Sequence, residues 1–277
     1  MNIVTEKTVF GGNSIAKIDG KTIFVPFSMP EENLEVEITE SKKDYDNARI
    51  LKILKASPYR VSPACPYYEK CGGCNMMHID YKYQQKLRAK ILEDIFIKNG
   101  IELNTEIKII SGPQFNYRSR FQLNNGGLSK KNSNMVVPIE ECLCAEKPVN
   151  EYLESTSADK RPQGRIHLFG SEKVVKAGCT DNKVIITDEK PVEKTIQVNK
   201  NSKKKLKIKQ NHYFAGTVQS EENTVSVLLN DKEISFDVRG FFQSNLFVFE
   251  KVTKLICDCL KGGASVLDLY AGCGSIS

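Results

Sequence analysis

The sequence predicts an α+β multidomain chain: a small OB-like β-barrel, then a central mixed antiparallel region with a Cys-rich loop, then the start of a Rossmann-like α/β domain. Three observations predict it. Short apolar segments punctuated by turn residues fill roughly the first 57 positions. The loop Cys65-x5-Cys71-Gly72-Gly73-Cys74 follows, ahead of a helical pattern. The final residues run Val266-Leu267-Asp268-Leu269-Tyr270-Ala271-Gly272-Cys273-Gly274, an apolar run, an acid and a Gly-x-Gly turn, which is how the first strand of an open α/β sheet meets a cofactor.

The first region reads as strands over 7–10, 14–18, 22–25, 34–40 and 48–55, with turns at Gly11-Gly12, Asp19-Gly20 and Pro30. The pattern fits an oligonucleotide-binding barrel, and fits any other small β-domain equally well. Ser57-Pro58 and Ser62-Pro63 mark a linker into the Cys-rich loop. Residues 81–98 then read as a helix: Asp80 caps it, Tyr83, Leu87, Ile91 and Ile95 share a face, and Gly100 closes it. From about 106 to 238 β-like runs alternate with polar turns, at 107–110, 120–123, 135–138, 165–169, 183–187, 224–229 and 233–238, and 149–154 starts a helix. The lysine run 200–209 reads as a solvated loop before it reads as an RNA contact. Asn245 caps a last helix through Leu260, Gly262-Gly263 ends it, and a strand over 264–270 follows. The expected domains are 1–57, 58–238 and 239–277.

Composition narrows the class. With 40% hydrophobic and 27% charged residues among 277, the chain is globular, and its net charge of +6 is compatible with a nucleic-acid partner. No run approaches the roughly 18 apolar residues that span a bilayer. The N-terminus lacks a basic and apolar leader, so a reducing cytoplasm is expected. There nine cysteines mean metal or redox chemistry before disulfides.

Cys65, Cys71 and Cys74 are three thiolates that a Gly-containing loop can wrap around one centre. Both a closed zinc site and a four-Cys iron–sulfur cluster need a fourth ligand, for which Cys142 and Cys144 are the candidates. The spacing fits a [4Fe–4S] cluster better than paired zinc knuckles, and His78 is a weaker zinc alternative. Upstream of the last strand, Gln243 and Asn245 sit at a strand-to-helix junction, either as ligand contacts or as an exposed amide and a plain helix cap.

Together these motifs resemble one family: the iron–sulfur-containing RNA (uracil-C5-)methyltransferases that make 5-methyluridine in ribosomal or transfer RNA. The resemblance covers the TRAM-like barrel, the cysteine triplet, Asn116-Tyr117-Arg118-Ser119-Arg120, Ile139-Glu140-Glu141-Cys142, Phe242-Gln243-Ser244-Asn245 and the 266–275 turn. It implies Cys142 as fourth ligand of a [4Fe–4S] cluster formed with Cys65, Cys71 and Cys74. It implies Gln243, Tyr270, Gly272 and Ser275 as S-adenosylmethionine contacts, and Phe241 as an aromatic against the target base. The expected partner is RNA, without a membrane, and the expected state is a monomer. The family's nucleophilic Cys and its base follow later in the methyltransferase domain. Cys257, Cys259 and Cys273 do not match that Cys, so no catalytic residue is assigned. The chain is expected to be an N-terminal fragment, cut off after the first strand of its cofactor domain and inactive alone. The rival class is a non-catalytic iron–sulfur RNA-binding protein.

Overall fold

The computed structural model describes residues 1–177, 223–260, 262, 265–269 and 271–274, together with the main chain of 184–188. It comprises two compact units, 1–111 with 129–137, and 112–128 with 138–277.

The first unit is built on a six-stranded sheet in the order β1-β5-β6-β4-β3-β2. Its strands are β1 (Asn2–Val4), β2 (Lys7–Thr8), β3 (Ser14–Ile18), β4 (Lys21–Val25), β5 (Asn33–Ser41) and β6 (Tyr45–Lys55). All neighbours are antiparallel except β4 and β6. Alternation buries Ile3, Ala16, Ile23, Val25, Leu34, Val36 and Ala48 as one core. The β3–β4 turn uses Asp19 and Gly20, both at positive φ, the conformation a two-residue hairpin needs. Two expectations change here. β1 was not foreseen, because three residues with one buried side chain carry almost no pattern. The strand expected over 7–10 stops at Thr8, because the Val9 N–H bonds Asn13 O and the Gly12 N–H bonds Val9 O, a turn that puts Phe10 at its tip.

Below the sheet, Glu32 is the polar knot. It accepts from the amides of Met29 (2.9 Å) and Ser57 (3.2 Å) and from both Nε and Nη2 of Arg60, whose Nη2 also reaches Phe27 O. Buried His78 is held similarly: Tyr68 Oη lies 2.7 Å from Nδ1 and Ser28 O lies 3.3 Å from Nε2. A carbonyl only accepts, so Nε2 carries the proton and Tyr68 donates to Nδ1. Helix α1 (Tyr81–Lys98) starts on Asp80, whose carboxylate accepts from Tyr83 N, and ends before Gly100 at φ 70°. Tyr83 stacks on Tyr59 and Leu87 is buried, but Ile95 is 41% exposed, so the apolar stripe runs out before the helix does. Residues 107–110 form no strand. Three isoleucines there, Ile107, Ile109 and Ile110, supply β-propensity, and no ladder pairs with them among the described residues.

The second unit has two three-stranded antiparallel sheets, β12-β10-β7 and β11-β13-β14. Its elements are β7 (Arg120–Asn124), α2 (Lys147–Ser155), β10 (Arg165–Gly170), β11 (Val174–Ala177), β12 (Val184–Asp188), β13 (Thr224–Leu229), β14 (Lys232–Asp237) and α3 (Leu246–Cys259), while the short strands β8 (Leu128–Ser129) and β9 (Val136–Val137) bracket the 129–137 segment of the first unit. Strands β8 and β9 pair with each other. Phe169, Val225, Val227, Phe236, Phe242, Leu246 and Phe249 form the core between the second sheet and α3. Buried Arg161 donates to the carbonyls of Leu153 (2.6 Å), Gly126 (2.7 Å) and Thr156 (2.7 Å), tying the end of α2 to the turn after β7. Gly126 has φ 77°, and a Cβ there would lie 1.9 Å from Ala158 O. The expected strand over 264–270 is absent from its described residues. Ser265–Asp268 are irregular, with Val266, Leu267 and Leu269 largely exposed, because an apolar run becomes a strand only beside a ladder partner. The lysine run 200–209 lies outside the described residues.

Candidate cofactor and RNA site

Three motifs that sequence reasoning treated separately meet in the second unit. The segment 116–119 is threaded between the Cys142 loop and the entry to α3. On one side Asn116 N donates to Leu143 O (2.9 Å), Tyr117 N and Arg118 N both donate to Cys144 O (3.0 and 2.7 Å), and Glu146 N donates to Arg118 O (2.9 Å). On the other side Ser119 donates twice to Ser244 O, from N at 2.8 Å and from Oγ at 3.1 Å. Ser119 O accepts from Gly170 N (2.9 Å), which anchors the thread to β10. The Arg118 guanidinium folds back over the Phe121 ring.

The thread positions 241–245. Phe242 points inward, stacked on Phe236 at 3.8 Å between ring centroids and edge-on to Phe249. Its neighbours therefore point out: Phe241 is 79% exposed and Gln243 is exposed. Asn245 is a helix cap, its Oδ1 accepting from Val248 N at 3.0 Å. Gly272 is described, exposed and at φ 63°. Tyr270 and Ser275 lie outside the described residues.

Cys142 sits in a tight clasp, its N donating to Asn150 Oδ1 and its O accepting from Asn150 Nδ2. The hydrogen bond with Cys144, then burial, hold its thiol far above the usual thiol range. Glu146 caps α2 without a side-chain bond to it. It accepts from Ser171 Oγ at 2.6 Å on Oε2, while buried Oε1 has no partner. Burial pushes this carboxyl up from the ordinary range, ahead of the opposing bonds from Ser171 and Glu172.

In the first unit Cys65, Cys71 and Cys74 are each half-buried. Cys65 O and Tyr67 O accept the amides of Tyr68, Lys70 and Cys71, so the loop is folded by its own main chain, and Cys71 Sγ accepts from Gly73 N at 3.3 Å. Gly72 packs against the hairpin at 129–131, where a Cβ would meet Lys131 N and Ser129 O at 3.0 Å. Among the described residues no three His, Cys, Asp or Glu are gathered closely enough to hold a metal ion. The donors nevertheless fit an iron–sulfur cluster in kind: three half-buried thiols in ten residues, one accepting an amide N–H. His78 is not a ligand, because both ring nitrogens are already engaged.

The thread leaves no sign in the sequence. Its bonds are almost all main-chain, and such pairing leaves no side-chain signature.

A family model, the TRAM domain, matches residues 3–51. An RNA methyltransferase of Aquifex aeolicus is 30% identical over 99% of this chain and 67% of its own length. The chain belongs to the RNA methyltransferase family. Another family member, from Treponema denticola, is 33% identical over 99% of this chain, which spans 63% of that relative's length. A 23S rRNA (uracil(1939)-C(5))-methyltransferase of Shewanella is 28% identical over 96% of this chain and 64% of its own. The fold is shared with a crystal structure of Pyrococcus abyssi tRNA (uracil-54, C5)-methyltransferase in complex with S-adenosyl-L-homocysteine. The TM-score is 0.64 at 21% identity, over 100% of this chain and 69% of that one. No helix among the described residues is long and apolar enough to cross a membrane.

Proposed function

We propose that this protein takes part in methyl transfer from S-adenosylmethionine to carbon 5 of a uridine in ribosomal or transfer RNA. The observation that carries this reading is the alternation at 241–243: inward Phe242 fixes an exposed aromatic ring and an exposed amide side by side at a strand-to-helix junction. In this reading Phe241 stacks on the target base. Gln243, with Tyr270, Gly272 and Ser275, holds the cofactor, which supplies an electrophilic methyl group. The proposed division is 1–57 barrel, 58–238 central domain and 239–277 opening of the cofactor domain. Cys65, Cys71, Cys74 and Cys142 would hold a [4Fe–4S] cluster whose task is structural. Carbon-5 methylation needs a thiolate that adds at carbon 6 and a base that removes the carbon-5 proton, and no residue of this chain is assigned to either role.

The test is a chimera: this chain fused to the last third of the Treponema relative, assayed with tritiated S-adenosylmethionine on ribosomal and transfer RNA transcripts. 5-Methyluridine is expected in the nucleoside digest, with Phe241→Ala and Gln243→Ala each lowering its yield at least tenfold. Methyl groups on any other atom refute the reading. Anaerobically purified protein should be brown with about four irons, and Cys142→Ala, unlike Cys144→Ala, should remove the colour. Stoichiometric zinc without iron refutes the cluster.

A further inference from the structure

Phe10 is the most exposed large apolar side chain among the described residues, at 85%. It does not wave freely. Gly11 and Gly12 hold its turn at φ 92° and 82°, Asn75 Nδ2 donates to Gly11 O, and Gly12 sits directly against the Asn75 and Met76 side chains. The tip is thus fastened to the end of the 65–74 loop. The middle of that loop carries cations. Cys71 pairs with Lys130 across an isolated antiparallel bridge, which brings Lys70 beside Lys130 and Lys131. Lys131 Nζ lies 5.0 Å above the ring of Phe27, a bulky residue held at φ 60° with its carbonyl bonded to Arg60. None of the three lysines forms an ion pair among the described residues. The 65–74 loop has one carboxylate, Glu69, and the 129–137 hairpin has none, which leaves a surplus of two positive charges.

We propose that this rim of the first unit is a single-stranded RNA track, in which Phe10 stacks on an unpaired base and Lys70, Lys130 and Lys131 hold the adjoining phosphates. The inference rests on the RNA methyltransferase reading above and adds where the RNA runs. An aromatic ring at a rigid, protruding tip has both faces open to a base, and every base offers a π-face, so the contact tolerates any sequence. Bases inside a duplex are already stacked, and A-form RNA presents mainly shape and phosphate, so the tip selects single strands. Lysines without carboxylate partners match a phosphate backbone, and their contribution falls with salt.

The test uses the 277-residue chain and fluorescence anisotropy with a fluorescein-labelled twelve-nucleotide oligouridylate, beside an A-form RNA duplex of equal length. Phe10→Ala should weaken oligouridylate binding between about fivefold and a hundredfold, the span of one base–aromatic stack, and leave the salt slope unchanged. Phe10→Trp should stay within twofold of the parent. The double variant Lys130→Ala/Lys131→Ala should flatten the salt slope by about 1.4, the share of two phosphates on a single strand. Lys52→Ala, on β6 of the same unit, serves as control and should change nothing. If the parent binds RNA but Phe10→Ala does not weaken it, or Lys52→Ala weakens it as much, the track is overturned and the RNA reading stands. If the parent binds neither RNA, both fall.

Discussion

Replacing Arg60 with Met should unfold the first unit more readily than any surface change, and the loss should depend on pH in a defined direction. Glu32 is fully buried and the Arg60 side chain is 18% exposed. Burial works to raise the Glu32 carboxyl, but the bonds from Arg60, Met29 and Ser57 outweigh it and hold the group below its ordinary range. Arg60→Met removes the countercharge and two of the four donors, and leaves a buried carboxylate with two amides. Breaking a buried pair from one side costs about 3–5 kcal/mol. For a unit of this size that is a fall of roughly 10–20 °C in Tm. The sign follows from linkage. In the parent, Glu32 stabilises above its unfolded pKa, and that contribution is lost as pH falls through the depressed folded value. In the variant, burial is opposed by fewer bonds and the folded pKa rises above the unfolded one. The penalty is then full at pH 7 and shrinks as pH falls toward 4.5, where the carboxyl protonates. Urea unfolding of both chains, followed by circular dichroism at pH 7.5, 6.0 and 5.0, measures it. A difference under 1 kcal/mol at pH 7.5, or one that grows on acidification, refutes the reasoning.

Three further outcomes are expected. His78 is buried neutral, with a pKa pushed down to about 4 by burial and by Arg60. The unfolded chain therefore binds the extra proton first, and stability should fall by up to about 3 kcal/mol as pH drops from 6.5 toward 4; His78→Gln should flatten that slope in the same urea titrations. Glu146→Gln keeps an acceptor for Ser171 and removes a buried charge, so it should raise Tm at pH 8 and matter least near pH 4.5, by differential scanning fluorimetry. Gly126→Ala must move Ala158 or the β7 turn and adopt a positive φ, which should cost at least about 3 kcal/mol, and a loss under 1 kcal/mol would contradict the contact.

The elements legible in the sequence are apolar runs bounded by turn residues and helices marked by their caps. β3, β13 and α3 fall where their patterns place them, as does α1, whose caps Asp80 and Gly100 are both read from residue type. β1 and β11 were invisible, since each is a short strand whose reality lies in its ladder partner. The opposite error at 107–110 has the same root: apolar residues state a preference, and a partner decides. At the candidate site, the alternation around Phe242 was not readable, because Phe241 and Phe242 are the same residue type and only the Phe236 stack tells them apart. Asn245 was legible as a cap for a local reason, its bond to Val248 three residues on. The knot at Glu32 and Arg60 joins positions 28 apart and had no local sign.

The thread at 116–119 has a consequence for how such a protein can change over time. Its grip on both flanking segments runs chiefly through amide hydrogens and carbonyl oxygens that every residue but proline possesses. Apart from Ser119, buried and bonded through Oγ, and Asn116, held at φ 53°, the link between the Cys142 loop and the Gln243 segment therefore depends little on side-chain identity. Proline at Tyr117, Arg118 or Ser119 is the substitution that would part them. Divergent descendants can change the letters at Tyr117 and Arg118 and still inherit its connection.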